Sequence, residues 1–146
     1  MREYITHSEE ETLAAAKEAA SLLKAGDVIL YEGEMGAGKT AFTKGIAQYL
    51  EVDDEVTSPT FALVHEYSGK IPLFHFDLYR INGYDDLYAI GFFDYLDRGG
   101  IIAAEWSENI PCLEEELGEV IRIKLEKLSE NERRITISGG TFGGAE

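Results

Sequence analysis

The chain has 146 residues, enough for one domain with its own core, and its 45% hydrophobic and 11% aromatic content excludes a disordered protein. With 28 acidic against 13 basic side chains the net charge is −15, which argues against direct binding of DNA or RNA, because that needs a field of Lys and Arg to replace phosphate counterions. The single cysteine, Cys112, leaves no intrachain disulfide and no thiolate metal cluster. With no signal-like start and no apolar run of about 18 residues, the expected location is cytoplasmic, with no membrane partner.

Arg2 to Thr6 reads as a short edge strand. Ser8 and Glu11 have the spacing of a capping box, in which two orphan amides are satisfied reciprocally. The helix they open carries Leu13, Ala16, Ala20 and Leu23 at helical spacing, with Gly26 as its stop. Val28 to Tyr31 is an apolar strand, a glycine loop follows from Gly33, and a second helix spans about Lys39 to Leu50. Glu51 to Pro59 is polar and turn-like. Phe61 to Tyr67 and Ile71 to Phe76, split by Ser68-Gly69, read as a hairpin. Asp85 to Ile90 and Phe92 to Leu96 read as short helical turns, and Ile101 to Ala104 as a strand buried on both faces. Val120 to Leu125 and Ile135 to Ile137 form a second hairpin around Ser129 to Asn131. The expected fold is α/β: a single P-loop NTPase-like domain over 1–138, three-layered, its mixed sheet flanked by helices and carrying β-hairpins. A mobile glycine-rich tail is expected over 139–146.

Gly33-Glu34-Met35-Gly36-Ala37-Gly38-Lys39-Thr40 matches the phosphate-loop pattern G-x-x-x-x-G-K-[ST] in full. Glycines let the backbone curl with its amides pointing inward, a concavity suited to phosphate oxygens. Lys39 would reach the β- and γ-phosphates, the Thr40 hydroxyl would ligate Mg²⁺, and the helix starting there adds its positive end. With glycine at about 7% of residues, a chance match is expected in roughly one chain in 200 of this length. The placement between an apolar strand and a helix lowers that further.

Such a loop needs a carboxylate at the end of a neighbouring strand. Two are available. Glu105 ends the cleaner apolar run and is favoured for Mg²⁺; Asp77 is favoured for positioning water or the Thr40 hydroxyl. His75 is placed off the face of Asp77 and reads as a core or interface histidine. Arg80 reads either as a charge stabiliser at the γ-phosphate or as a surface arginine. Thr57, Ser58 and Thr60 around Pro59 read as a nucleotide-sensing switch or an ordinary turn, and Trp106 as core or as a platform beside the nucleotide. No Asn-Lys-x-Asp guanine-reading motif occurs, and neither an arginine-rich lid nor a second substrate domain is evident. This makes a small-molecule kinase the weaker idea. Two readings stay open: an ATPase completed by a partner, and an ATP-gated protein-binding module whose hydrolysis is incidental.

In order along the chain, Gly33 to Thr40, Thr57-Ser58-Pro59-Thr60-Phe61, His75-Phe76-Asp77-Leu78-Tyr79-Arg80 and Glu105-Trp106 resemble the motifs of the bacterial tRNA threonylcarbamoyladenosine biosynthesis ATPase family, TsaE (older name YjeE). The resemblance covers roughly Tyr4 to Ile137. It implies a P-loop ATPase, weak alone, that binds the TsaB–TsaD complex. That complex transfers threonylcarbamoyl to adenosine 37 of ANN-decoding tRNAs, and ATP hydrolysis is expected to reset it. By motif, Glu34, Met35, Gly36, Ala37, Gly38, Lys39, Thr40 and Ala41 would wrap the nucleotide phosphates. Thr40 and Glu105 would hold Mg²⁺, Asp77 would be essential for hydrolysis, and the Ser58-Pro59-Thr60 loop would be switch-like. Trp106 would lie near the nucleotide, and Ser8, Thr12 and Arg134 would approach its base or ribose. Ser107-Glu108 departs from the family, many of whose members carry proline after the tryptophan, so the fine geometry of that loop is left open. tRNA would be met only through the partner complex, which suits a chain of this acidity.

Overall fold

A computed structural model describes residues 1–34, 36–53, 64–110 and 112–143. The elements run β1 (Arg2–Thr6), α1 (Glu9–Ala20), β2 (Val28–Glu32), α2 (Lys39–Tyr49), β3 (Val64–Tyr67), β4 (Leu73–Asp77), α3 (Tyr84–Ala89), α4 (Phe92–Tyr95), β5 (Ile101–Glu105), α5 (Leu113–Leu117), β6 (Ile121–Lys127) and β7 (Arg133–Ser138). Seven strands form one sheet in the order β1-β7-β6-β2-β5-β4-β3. The inner strands β6, β2, β5 and β4 are mutually parallel, and the outer pairs β3–β4, β6–β7 and β1–β7 are antiparallel. Both expected hairpins are present, and the sheet is mixed because short turns join antiparallel strands whereas parallel ones need crossovers.

Successive residues of a strand point to opposite faces, and here both faces are covered. Ile29 and Tyr31 of β2 pack with Ala16 of α1 and with Phe42 and Ile46 of α2. Val28 and Leu30 pack instead with Phe76, Leu87 and Phe92. Burial on both sides is why β2 and β5 carry unbroken apolar runs. Close contact between α1 and α2 depends on a small residue: a Cβ at Gly45 would lie 2.4 Å from the Cβ of Ala16 and 2.8 Å from the carbonyl of Leu13.

Three local expectations are corrected, and one element went unforeseen. The Ser8 hydroxyl accepts from the amide of Glu11 as a cap should, but the Glu11 carboxylate takes the amide of His7 rather than that of Ser8. α1 stops at Ala20, well before Gly26, where the Ser21 hydroxyl donates to the carbonyl of Glu18 and diverts the last turn. The one-turn helix α5 is too short to leave a periodic signal. The described part of the expected tail, Gly139 to Gly143, packs rather than trailing away: Gly140–Phe142 form a 3₁₀ turn, Phe142 is buried in the core, and the N-terminal ammonium donates to its carbonyl. Among the described residues, no helix is long and apolar enough to cross a membrane.

Candidate functional site

The glycine loop follows the C-terminal end of β2 and leads into α2, so the positive end of α2 faces that edge of the sheet. Two glycines are required by geometry. At Gly33 (φ +148°) a Cβ would lie 2.5 Å from the carbonyl oxygen of Leu125, and Gly38, the residue before α2, has φ +106°. The Ala37 amide closes a turn onto the carbonyl of Glu34 at 3.1 Å, and the Ala37 side chain is buried.

Lys39 is the first residue of α2 and is only 7% exposed. Its Nζ lies 3.9 Å from Oε1 of Glu105 and 4.9 Å from the centre of the Trp106 ring. Glu105 ends β5, which lies directly beside β2, as its apolar run suggests. Asp77 ends β4, the next strand, and is the register partner of Glu105. In parallel pairing this sets both carboxylates on one face at one level. Asp77 Oδ1 accepts from the amide of Tyr79 at 3.0 Å, a short turn that fixes its direction. Trp106 adopts a left-handed backbone (φ 65°) and its ring packs edge-on against Tyr79. It is therefore a wall of the site, half-buried rather than core. Arg80 is exposed on the loop after β4.

His75 corrects an expectation. It shares the face of Asp77, because residues two apart in a strand point the same way. It is fully buried, and its Nε2 lies 2.6 Å from Oε2 of Glu105. Its ring packs edge-on to Tyr31, whose hydroxyl meets Thr43 Oγ1 at 2.7 Å; that hydroxyl in turn donates to the carbonyl of Lys39 at 2.8 Å. Burial pushes the Tyr31 hydroxyl well above its usual range, so it stays a neutral donor.

Beside the loop is a cavity of about 240 Å³ lined by Ser8, Thr12, Gly38, Ala41, Asn131 and Arg133. Ser8, Thr12 and Ala41 thus line the space beside the loop. Arg134 does not: it belongs to the other face of β7 and pairs with Glu126 at 3.8 Å. Its neighbour Arg133 shares the face of Ile135 and Ile137 and reaches the loop. There its Nη2 donates to the carbonyl of Gly36 at 3.3 Å, while Nη1 binds the carbonyls of Ser129, Glu130 and Glu132. The alternation Arg133-Ile135-Ile137 is the sequence signal that would have found it. Another cavity, of about 320 Å³, opens beside Leu30, Glu32 and Arg122 on the opposite face of the sheet. Met35 and Thr57 to Phe61 lie outside the described residues.

The donor set suits a hard divalent cation. The Glu105 carboxylate and the hydroxyl of Thr40, the second residue of α2, are oxygen ligands of the kind Mg²⁺ takes in one or two positions beside phosphates. Among the described residues, no group of three or more His, Cys, Asp or Glu side chains gathers to hold a metal ion.

Comparison with known proteins gives one answer at each level. The sequence profile of the family described as "Threonylcarbamoyl adenosine biosynthesis protein TsaE" matches residues 6–135. The chain is 41% identical over 135 residues to the tRNA threonylcarbamoyladenosine biosynthesis protein TsaE of Bacillus subtilis, covering 91% of this chain and 82% of that protein. It is 42% identical over 141 residues to that of Aquifex aeolicus, covering 94% and 96%. The crystal structure of Bacillus subtilis YdiB superposes with a TM-score of 0.74 at 36% identity, covering 94% of this chain and 84% of that one.

Proposed function

The chain belongs to the TsaE family of threonylcarbamoyl adenosine biosynthesis proteins, and from that premise we propose that it is an Mg²⁺-dependent ATPase serving threonylcarbamoylation of adenosine 37 in ANN-decoding tRNAs. The observation that carries this reading is the convergence of Lys39, at the start of α2, with Asp77 and Glu105, at the ends of the adjacent strands β4 and β5, around the glycine loop that follows β2.

Lys39 and the loop amides would bind the β- and γ-phosphates, and the negative charge arriving there would draw Lys39 away from Glu105. Glu105 and Thr40 would then hold Mg²⁺, which when bound supplies neutralisation of the charge that develops on the phosphate oxygens. Asp77, on the same face, orients a water for in-line attack and takes up its proton. The bond between the γ-phosphorus and the bridging oxygen breaks, leaving ADP and inorganic phosphate. Ser8, Thr12 and Arg133 border the space left for the nucleoside. At −15 net charge, contact with tRNA would run through a TsaB–TsaD-like complex, which hydrolysis would reset.

The test is phosphate release by the protein alone and then with TsaB, TsaD and tRNA. A low rate that rises with the partners supports the reading. Tight, nucleotide-dependent docking with release no faster than background would favour the ATP-gated binding module instead.

A further inference from the structure

We propose that His75 is a positioning residue, holding the Glu105 carboxylate in the orientation that takes Mg²⁺; the inference rests on the Mg²⁺·ATP reading above. The carboxylate is divided between two tasks. Oε2 accepts from His75 Nε2 at 2.6 Å inside the core, and Oε1 is turned outward toward Lys39 at 3.9 Å. A glutamate has three rotatable side-chain bonds, and one short bond at Oε2 removes most of that freedom before any metal arrives. The histidine is itself held. It is completely buried, packed edge-on to Tyr31 at 6.4 Å between ring centres, and Tyr31 is tied through Thr43 to the first turn of α2. β4 is therefore linked to the phosphate loop through two side chains whose positions packing determines.

The hydrogen-bonding count agrees. His75 Nδ1 finds no hydrogen-bond partner among the described residues, so its one polar contact there is the carboxylate. Burying an imidazole with Nδ1 unpaired costs about 1–3 kcal/mol, a cost that leucine or phenylalanine would not carry. The bond to Glu105 is what the imidazole offers that an apolar ring does not. Loss of an outer residue that orients a metal ligand commonly weakens metal affinity by about 10–100-fold.

The test uses nucleotide titrations of the full chain, read by the fluorescence of Trp106, its one tryptophan, which lies against Lys39. ADP is titrated in EDTA and then at increasing Mg²⁺ for wild type, His75→Leu, His75→Gln and His75→Asn. Circular dichroism confirms folding of each variant. Glutamine places an amide nitrogen near the position of Nε2, whereas asparagine falls short of it. The inference expects unchanged ADP affinity in EDTA for all four proteins. It expects a half-saturating Mg²⁺ concentration raised at least about tenfold for His75→Leu and His75→Asn, and largely restored in His75→Gln. Should His75→Leu fail to fold, the Gln and Asn pair carries the same contrast. Equal Mg²⁺ dependence in Gln and Asn, or weakening that is as large in EDTA as in Mg²⁺, would overturn the positioning role. A wild-type protein that binds ADP with no response to Mg²⁺ would overturn the metal reading of Glu105, and the role of His75 with it.

Discussion

Lys39 and Glu105 face each other across 3.9 Å, both nearly buried, at the mouth of the glycine loop. Each charge offsets part of the cost of burying the other, and in the proposed mechanism each then takes a ligand. Replacing Lys39 with Ala removes a charge-assisted contact to phosphate of about 1.5–3 kcal/mol, so nucleotide affinity should fall by about 10–100-fold. Calorimetric titration with ATP checks this, and near-native affinity would contradict the assignment of Lys39.

Arg133 and Arg134 are adjacent in sequence and opposite in role. Arg133 straps the β6–β7 turn onto the carbonyl of Gly36, whereas Arg134 makes a half-exposed pair with Glu126 on the other face. Arg133→Ala should loosen the loop and lower ATP affinity by at least about fivefold, the equivalent of one hydrogen bond of about 1 kcal/mol. Arg134→Ala should leave affinity within experimental error, since exposed pairs contribute about 0–1 kcal/mol to stability. The two variants titrated side by side decide between the faces.

Gly45 governs how closely α1 and α2 approach. Gly45→Ala would drive a methyl group to 2.4 Å from the Cβ of Ala16, so the helices must separate. Overpacking of this kind costs about 1–3 kcal/mol. Urea denaturation should show a lower midpoint with an unchanged slope, despite the better helix propensity of alanine.

Phe142 makes the glycine-rich end part of the fold. Its ring is 7% exposed within the cluster that includes Ile135 and Ile137. Phe142→Ala should destabilise the protein by about 3 kcal/mol or more, the usual cost of emptying a buried aromatic site. Thermal melting checks it; an unchanged transition would mean that the segment does not pack in solution.

The elements and the glycine loop between β2 and α2 were legible because their signals are local. The loop motif, the apolar run Ile101 to Ala104 and the two hairpin patterns each declare themselves within a few residues. Relations across the sheet were not legible in the same way. That Asp77 and Glu105 share a register depends on how β4 pairs with β5, and the His75–Glu105 bond joins residues far apart in the chain. Alternation along a single strand could still have placed His75 on the face of Asp77, and Arg133, not Arg134, on the face of Ile137. The packing of Phe142 had no comparable signal, because the surrounding segment is mostly glycine and its contacts are distant.

The central claim is that Asp77 serves the chemistry rather than the binding of ATP. Asp77→Asn keeps an oxygen to accept from the Tyr79 amide, so the loop geometry should survive the change. The decisive measurement is single-turnover phosphate release at saturating Mg²⁺·ATP, in the presence of the partner complex, with nucleotide occupancy measured in the same samples. The account predicts full occupancy by Asp77→Asn, with release slowed by about 10²–10⁴-fold, as expected when a positioned base is lost. Wild-type release from Asp77→Asn would contradict it.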